Sequence, residues 1–184
     1  MARVGVLALQ GGYAAHEAML ADLGHTVVRV REPADLEGCE GLVLPGGESS
    51  TQLKLLPRYA LDGPLEAFVR AGHPVLGTCA GLILAAREVQ DPAQRSFGWL
   101  DVTVSRNAYG RQLDSFESTD DSGRYRLLFI RAPRILACGP EVEVLATLQG
   151  EPILVRQGAV YGAAFHPELT RDPWLHAQVF GDAR

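Results

Sequence analysis

The first half of the chain alternates strand-like, largely apolar runs with segments of helical periodicity. The strand-like runs cover residues 4–9, 26–30, 41–44 and 75–76. The helical segments cover residues 16–23, 65–71 and 82–89, and the first two end at a glycine. A strand that is apolar throughout has to be covered on both faces, and crossover helices provide that cover in α/β proteins. The alternation therefore predicts a mostly parallel sheet between two layers of helices.

The pattern changes after about residue 97. Strand-like runs now follow one another directly, at residues 100–104, 127–130, 142–148, 153–156 and 160–165. They predict antiparallel additions to the same sheet. We also expect a surface turn at 118–123, between two of these runs, and a terminal helix at 173–180. The chain shows no internal repeat and no linker, so we expect one α/β domain over residues 1–184, a three-layer sandwich.

Composition excludes several classes of function. The net charge is −5 and no basic run stands out, which argues against a nucleic-acid or anionic-membrane surface. No apolar run approaches the length of a membrane span, and no secretory leader is expected. Cys39, Cys79 and Cys138 are odd in number and widely spaced, which favours a reducing compartment, the cytoplasm. No cluster has metal-ligand spacing, so neither a metal nor a cofactor is predicted.

The motif GTCAG, residues 77–81, directly follows the strand-like run at 75–76. It is the cysteine counterpart of a nucleophile elbow, a turn between strand and helix that is so sharp that its neighbours have to be small. Such a turn presents the Cys79 sulfur at the carboxyl end of the sheet, where open α/β folds bind ligands. A helix starting near Ala80 favours a thiolate, and the Ala80 N–H is available to an oxyanion. A buried structural cysteine is the alternative interpretation.

A cysteine nucleophile needs a base, and the motif FHPE at residues 165–168 offers one. It follows the strand-like run 160–165, and Pro167 favours an extended backbone at His166. In an extended segment residues two apart project to the same side, so His166 and Glu168 are expected to meet. The carboxylate would then orient the imidazole, as the third member of a triad does. A surface histidine in a loop is the alternative.

The other four histidines are weaker candidates. His25 and His73 each follow a glycine and are interpreted as turn residues. His16 lies on a predicted helix, and His176 lies near a C-terminus that is expected to fray. None of them is predicted to take part in a site.

The motif LPGGESS, residues 44–50, is a strand end running into a paired-glycine loop. Paired glycines let a backbone approach a ligand closely and present an N–H group, so this loop could supply a second oxyanion donor. Ser49 or Ser50 could cap the helix that follows. The loop is not a P-loop, because no Gly-Lys-Ser/Thr follows it. A plain turn is the alternative.

These motifs together resemble a known family. LPGGESS, GTCAGLILAA and FHPEL are similar to class I, triad-type glutamine amidotransferases. GVLALQGG, RNAYGRQLDSFE (residues 106–117) and FIRAPRI (residues 129–135) resemble, more narrowly, the glutaminase subunits of pyridoxal 5′-phosphate synthase. The resemblance runs from residue 4 to residue 170. It departs after Gln10, where Gly-Gly-Tyr-Ala-Ala-His replaces the expected Gly-Ala start and the Glu before the His, and the chain ends soon after its last helix. Both changes bear on docking to a partner.

The resemblance implies a flavodoxin-like amidotransferase fold and the hydrolysis of L-glutamine to L-glutamate and ammonia. It implies a Cys79–His166–Glu168 triad, with an oxyanion hole formed by the N–H groups of Gly47 and Ala80. By similarity, the glutamine pocket is lined by Gly47, Glu48, Ser49, Arg106, Ile130 and Arg131. Guanidinium groups pair well with a carboxylate, so either arginine suits the α-carboxylate of the substrate.

The resemblance also implies a partner. In this family the ammonia passes to a separate barrel-shaped synthase subunit that makes pyridoxal 5′-phosphate, and up to twelve glutaminases decorate a dodecameric synthase. The family's isolated glutaminases are nearly silent, so we expect weak activity from the chain alone.

Two other kinds of function stay open from the sequence. One is a hydrolase or protease that shares the cysteine elbow but acts on peptides or small electrophiles. The other is a non-catalytic regulatory module that keeps the fold. Comparing hydrolysis of glutamine with that of peptides separates the first, and substitution of Cys79 separates the second.

Overall fold

The computed structural model describes residues 1–106 and 115–183. Its helices are α1 (Tyr13–Asp22), α2 (Ser49–Arg58), α3 (Asp62–Arg70), α4 (Ala80–Ala85) and α5 (Trp174–Phe180). Its strands are β1 (Arg3–Leu7), β2 (Thr26–Val30), β3 (Gly41–Leu44), β4 (Val75–Thr78), β5 (Ala86–Gln90), β6 (Leu100–Ser105), β7 (Ser115–Thr119), β8 (Arg126–Ile130), β9 (Arg134–Cys138), β10 (Glu143–Leu148), β11 (Glu151–Gln157) and β12 (Val160–Ala163). Two single 3₁₀ turns lie at Pro33–Leu36 and Pro167–Leu169.

A seven-stranded sheet in the order β10-β11-β12-β4-β3-β1-β2 forms the centre of the fold. The five strands from β12 to β2 are parallel, and β11 and β10 extend the sheet antiparallel at one edge. Every residue of β3, β4 and β12 is buried, which explains why these strands read as continuous apolar runs. The predicted α/β class with a mostly parallel central sheet is confirmed.

Four chain segments lie at the carboxyl ends of the parallel strands. Gln10 follows β1, the paired glycines follow β3, Cys79 follows β4, and His166 follows β12. Because β12, β4, β3 and β1 are consecutive neighbours, their carboxyl ends lie side by side. Open α/β sheets bind their ligands at this edge.

The prediction of one helix over residues 82–89 is wrong. Helix α4 ends at Ala85, and the chain continues as β5, which pairs in parallel with β6. The N–H groups of Phe97 and Gly98 donate to the carbonyl oxygens of Leu84 and Ala86 at 2.7 and 3.0 Å. These carbonyls lie where a longer helix would use them, so the returning loop ends the helix.

The antiparallel additions were expected in a single sheet, and that prediction is wrong in part. Of the five runs, β10 and β11 join the central sheet as antiparallel strands, while the run at 160–165 joins it as β12, which pairs in parallel with β4. Strands β5, β6 and β9 form a separate three-stranded sheet, and β7 pairs with β8 in a two-stranded one. The predicted turn at 118–123 begins later, because Ser118 and Thr119 belong to β7 and Asp120 is buried.

Other boundaries differ by a few residues. Strand β1 ends before the predicted position, while α1 and α3 begin three residues earlier than predicted. The terminal helix is present as α5. Residues 107–114 of the motif RNAYGRQLDSFE lie outside the described residues. Within the described ranges, no helix has both the length and the apolar character to cross a membrane.

Candidate active site

Cys79 occupies a strained turn between β4 and α4. Its backbone has φ +48° and ψ −100°, a conformation that side-chain-bearing residues rarely adopt and that clusters at functional sites. A Cβ on Gly81 would lie 2.0 Å from the carbonyl oxygen of Leu44, and one on Gly77 would lie 2.7 Å from the Gly81 backbone. The glycines of the motif are therefore required by close packing, as a nucleophile elbow demands.

His166 and Glu168 lie beside this turn, as the sequence predicts. The N–H of Cys79 donates to the carbonyl oxygen of Ala163, the last residue of β12, at 2.8 Å. The N–H of His166 donates to the carbonyl oxygen of Leu128 at 2.8 Å, which fixes the chain after β12. His166 Nδ1 and Glu168 Oε1 are 2.7 Å apart and buried.

The backbone that brings these two side chains together differs from the expected one. Glu168 lies in the 3₁₀ turn Pro167–Leu169 and not in an extended segment. Proline is favoured in the first position of a helical turn because its N–H is not needed there. The pair therefore forms across one tight turn.

The charges of the site stabilise an imidazolium. Burial by itself lowers the pKa of His166, but hydrogen bonding and charge interactions with Cys79 and Glu168 outweigh it and raise that pKa to about 10. Burial works to raise the pKa of Glu168, yet His16 and His166 more than offset it and hold the pKa below its usual value. Glu168 thus stays a carboxylate, and His166 carries a proton next to the sulfur.

One pocket of about 350 Å³ collects these groups. It is lined by Gln10, Gly12, Gly46, Gly47, Glu48, Ser49, Cys79, Ile83, Arg106, Ile130, Arg131, His166, Glu168 and Leu169. All the predicted site residues are in this set except Ala80, which is fully buried directly after the cysteine. Cys79 is only 6% exposed, but it lines this pocket, and its Sγ lies 3.9 Å from the Ile130 carbonyl oxygen.

Sequence reasoning missed the role of Gln10 in shaping the paired-glycine loop. Its Oε1 accepts the N–H of Glu48 at 2.8 Å, and a Cβ on Gly47 would lie only 2.5 Å from that oxygen. Gln52 Nε2 donates to the carbonyl oxygens of Gln10 and Pro45 at 3.0 and 3.3 Å. The signal was present, since Gln10 follows β1 at the same sheet edge as the cysteine.

The two arginines of the pocket are held differently. Arg106 Nη2 lies 3.2 Å from Glu48 Oε1. Within residues 1–106 and 115–183, no carboxylate pairs with Arg131, whose backbone has φ +43°.

His16 lies on a helix as predicted, whereas His176 does not lie on a frayed C-terminus but in α5. His16 and His176 are both fully buried, and neither lies on a frayed or exposed surface. His16 Nε2 lies 3.4 Å from Glu168 Oε2, so this part of α1 contacts the carboxylate that is paired with His166. His16 and Glu168 are 152 positions apart, so their contact has no local signal in the sequence.

Comparison with known proteins agrees with this geometry. The family model described as the SNO glutamine amidotransferase family matches residues 6–182. The chain belongs to this family. Its relatives include a pyridoxal 5′-phosphate synthase subunit PdxT from Koribacter versatilis, 52% identical over 95% of this chain and 92% of that protein. A PdxT from Fervidobacterium nodosum is 45% identical, over 94% of this chain and 93% of its own length.

Solved structures of the amidotransferase fold match as well. A crystal structure described as a glutamine amidotransferase has a TM-score of 0.89 and 45% identity, covering 96% of both chains. PurLQS from Thermotoga maritima has a TM-score of 0.67 at 16% identity, covering 99% of this chain and 93% of that chain, and shows the fold alone. The expected amidotransferase-like fold is confirmed.

Proposed function

We propose that this SNO-family chain hydrolyses L-glutamine to L-glutamate and ammonia through Cys79, His166 and Glu168. The observation that carries the proposal is the convergence of these three side chains on one pocket, with His166 bonded to Glu168 at 2.7 Å. Membership of an amidotransferase family supports glutamine as the substrate. We propose as well that residues 1–184 form a single glutaminase domain.

The first step is attack of the Cys79 thiolate on the side-chain carboxamide carbon. The protonated His166 lies beside the sulfur, and a neighbouring imidazolium is the setting in which cysteine nucleophiles generally react. Attack converts the carbonyl oxygen into an oxyanion, for which we assign the N–H groups of Gly47 and Ala80 as donors. Each such donor typically contributes about 3–4 kcal/mol to the transition state. Gly47 lines the pocket, and Ala80 opens α4 immediately after the nucleophile.

Proton transfers by His166 complete the two half-reactions. Its imidazolium gives a proton to the departing nitrogen, so ammonia leaves and a γ-glutamyl thioester remains on Cys79. The neutral imidazole then takes a proton from water, and the resulting hydroxide attacks the thioester. Collapse of the second tetrahedral intermediate releases glutamate and restores the thiolate–imidazolium pair. Glu168 holds the ring in position throughout.

The rest of the pocket suits the polar ends of glutamine. We assign the α-carboxylate to Arg131, which has no carboxylate partner among the described residues, with Arg106 as the second guanidinium of the pocket. Glu48, Ser49 and Ile130 complete the substrate-binding set. Glu48 already accepts from Arg106, so its carboxylate is placed to meet the α-ammonium group.

The partner in this proposal is the synthase subunit of pyridoxal 5′-phosphate synthase. The relatives that carry the PdxT name are subunits of that enzyme. Ammonia released into water is protonated and lost as a nucleophile, so the product is most useful when it passes directly to a bound acceptor. A complex of up to twelve glutaminases on a dodecameric synthase, located in the cytoplasm, remains the expected assembly.

Ammonia release from glutamine, measured with and without the cognate synthase, tests this coupling. We expect slow turnover by the chain alone and strong stimulation when the synthase is added. Parallel assays with asparagine and with glutamine-containing peptides serve as controls for substrate class. Equal rates with and without the synthase would contradict the coupling, and faster turnover of peptides would favour the hydrolase alternative.

Gly46 is predicted to be essential for the alignment of Cys79 and His166. A Cβ at this position would lie 2.5 Å from His166 Cε1 and 3.4 Å from the Cβ of Cys79. Gly46→Ala should therefore displace the imidazole and lower kcat roughly 100-fold, since misplacement by about 1 Å has effects of that size. Gly63→Ala is the matched control, because a Cβ there meets nothing within 4 Å. Wild-type kcat in Gly46→Ala would show that the ring position is not critical.

A further inference from the structure

A buried chain of polar contacts continues from Glu168 into the core. His16 Nε2 lies 3.4 Å from Glu168 Oε2 and 3.2 Å from Thr78 Oγ1. On the other side of the ring, His16 Nδ1 lies 2.8 Å from His176 Nε2. His16, Thr78 and His176 are fully buried, and none of the three lines the pocket. The proposed reaction assigns no role to them.

Two atoms in this series of polar contacts indicate which ring nitrogens of His16 and His176 carry protons. Glu168 Oε2 and His176 Nδ1 are buried and have no hydrogen bond within the described part of the chain. If His16 carried its proton on Nδ1, a lone pair on Nε2 would face the carboxylate oxygen, and His176 would bury an unpaired N–H. If His16 carries its proton on Nε2, that N–H donates to Thr78 Oγ1 at 3.2 Å with its positive end 3.4 Å from the carboxylate oxygen, and Nδ1 accepts from His176 Nε2–H. The second arrangement costs less, because it leaves no buried negative charge facing a lone pair.

We propose that His16 is a positioning residue for the reaction, which holds Glu168 and Thr78 in place through a neutral ring protonated on Nε2. The inference rests on the proposed function. His16 touches no substrate and acts through the residues that do. His176 fixes the tautomer of His16 by donating its Nε2–H to Nδ1.

The position of His16 lets one ring brace both sides of the active site. Glu168 Oε1 holds His166, so a contact to Oε2 limits rotation of the carboxylate that orients the catalytic ring. Thr78 directly precedes Cys79, and its Oγ1 accepts the N–H of Gly46 at 3.1 Å. His16 therefore contacts both Glu168, which holds the imidazole of His166, and Thr78, which holds the glycine loop.

The surrounding charges agree with a neutral His16. The titratable groups that face Glu168 are His166 on its own turn, His16 from α1 and Cys79 at the start of α4, with His176 from α5 behind His16. Burial lowers the pKa of His16, an effect only partly offset by Glu168 and reinforced by His166. Burial lowers the pKa of His176 as well. The single imidazolium of the cluster is then His166.

The tautomer can be read directly, without any assay of activity. ¹⁵N-labelled histidine in the folded chain gives distinct nitrogen shifts for Nε2–H, Nδ1–H and doubly protonated rings. We expect His16 to be neutral and protonated on Nε2 between pH 6 and 8, and His166 to be doubly protonated. Resonances are assigned from His16→Gln and His166→Asn proteins. A His16 ring found protonated on Nδ1, or doubly protonated, would overturn the proposal.

Two amide substitutions separate positioning from simple packing. The amide of His16→Gln reaches the place of Nε2 and can still present an N–H to Thr78 and Glu168. The amide of His16→Asn reaches only the place of Nδ1 and keeps the contact with His176. We expect His16→Asn to lower kcat roughly 10–100-fold with KM nearly unchanged, since losses of supporting residues are of that size. His16→Gln should restore most of kcat. A tether between α1 and α5 would give the opposite order.

A pH profile supplies a second readout. Without the N–H dipole of His16 beside Oε2 the pKa of Glu168 rises, so the carboxylate is lost at a higher pH as the solution is acidified. The acid limb of kcat should therefore move to higher pH in His16→Asn and much less in His16→Gln. His25→Asn is the control, because His25 bonds Ala2 and Gly181 away from the pocket. Equal kcat and pH profiles in folded His16→Asn and wild type would overturn the inference.

The failure of this inference can be distinguished from failure of the proposed function. If Cys79→Ala kept its activity in the complex, the reaction assignment would be wrong whatever the tautomer of His16. If Cys79→Ala were inactive while His16→Asn behaved as wild type, only the positioning role would fail. Circular dichroism and thermal unfolding show whether each variant is folded. If a variant does not fold, the tautomer measurement on the wild-type chain still tests the proposal.

Discussion

Replacing Cys79 with alanine is expected to abolish glutamine hydrolysis while leaving the fold intact. The sulfur is the only group in the proposed reaction that forms a covalent bond with the substrate, so nothing replaces it in the variant. Loss of such a nucleophile lowers kcat by at least about 10³-fold, and by about 10⁶-fold where a triad acts as a unit. The measurement is ammonia release by the chain assembled with its synthase.

The other two described cysteines provide matched controls. Cys39 is buried, Cys138 is half-buried, and neither lines the pocket. Burial raises the pKa of both thiols, which makes them poor nucleophiles. Cys39→Ala and Cys138→Ala should therefore retain glutaminase activity. Ammonia release that survived in Cys79→Ala and disappeared in either control would move the nucleophile elsewhere.

Much of the central sheet could be predicted because its signal is local. Strands β3, β4 and β12 are buried along their whole length, so their apolar runs are visible in the sequence. Parallel pairing then brings the ends of these strands together. The positions of Cys79 and His166 follow from that placement, and the spacing of Glu168 from His166 supplies the third group.

The end of α4 could not be predicted in the same way. Residues 82–89 carry apolar residues at helical spacing, and nothing among them breaks a helix. The helix ends because Phe97 and Gly98 return and bond the carbonyl oxygens of Leu84, in its last turn, and of Ala86, the residue after it. Such a contact depends on the path of a loop more than ten residues away, so a window of local sequence does not contain it.

The polar support of the site was hidden for a related reason. His16 and His176 read as an ordinary helical residue and a residue near the end of the chain, yet they meet in the core at 2.8 Å. Gln10 had a local signal, since it follows β1, but its bond to the Glu48 backbone is a tertiary contact. Sequence patterns thus identify the proposed reacting groups more readily than the groups that hold them.

His166→Asn is expected to remove glutamine hydrolysis. It is also expected to change how the reactivity of the Cys79 sulfur depends on pH. Asparagine retains a donor near Nδ1 that can meet Glu168, but it cannot hold a proton beside the sulfur. Hydrolysis should fall by at least about 10³-fold. Alkylation of Cys79 by iodoacetamide at pH 6.5 should slow by about tenfold or more, because the cation that favours the thiolate is gone. His73→Asn is the control, since His73 stacks on Phe68 outside the pocket.

The same substitution has a signature in stability. The pKa of His166 is about 10 in the folded chain, above its ordinary value of 6.5, so protonation favours the folded state. That contribution is fully present below about pH 6.5 and is lost as the pH rises through about 10. The free energy of unfolding of the wild type should therefore exceed that of His166→Asn by more at pH 6 than at pH 10. A difference that stayed constant over this range would mean that His166 does not hold its proton in the folded protein, and the thiolate–imidazolium pair would have to be abandoned.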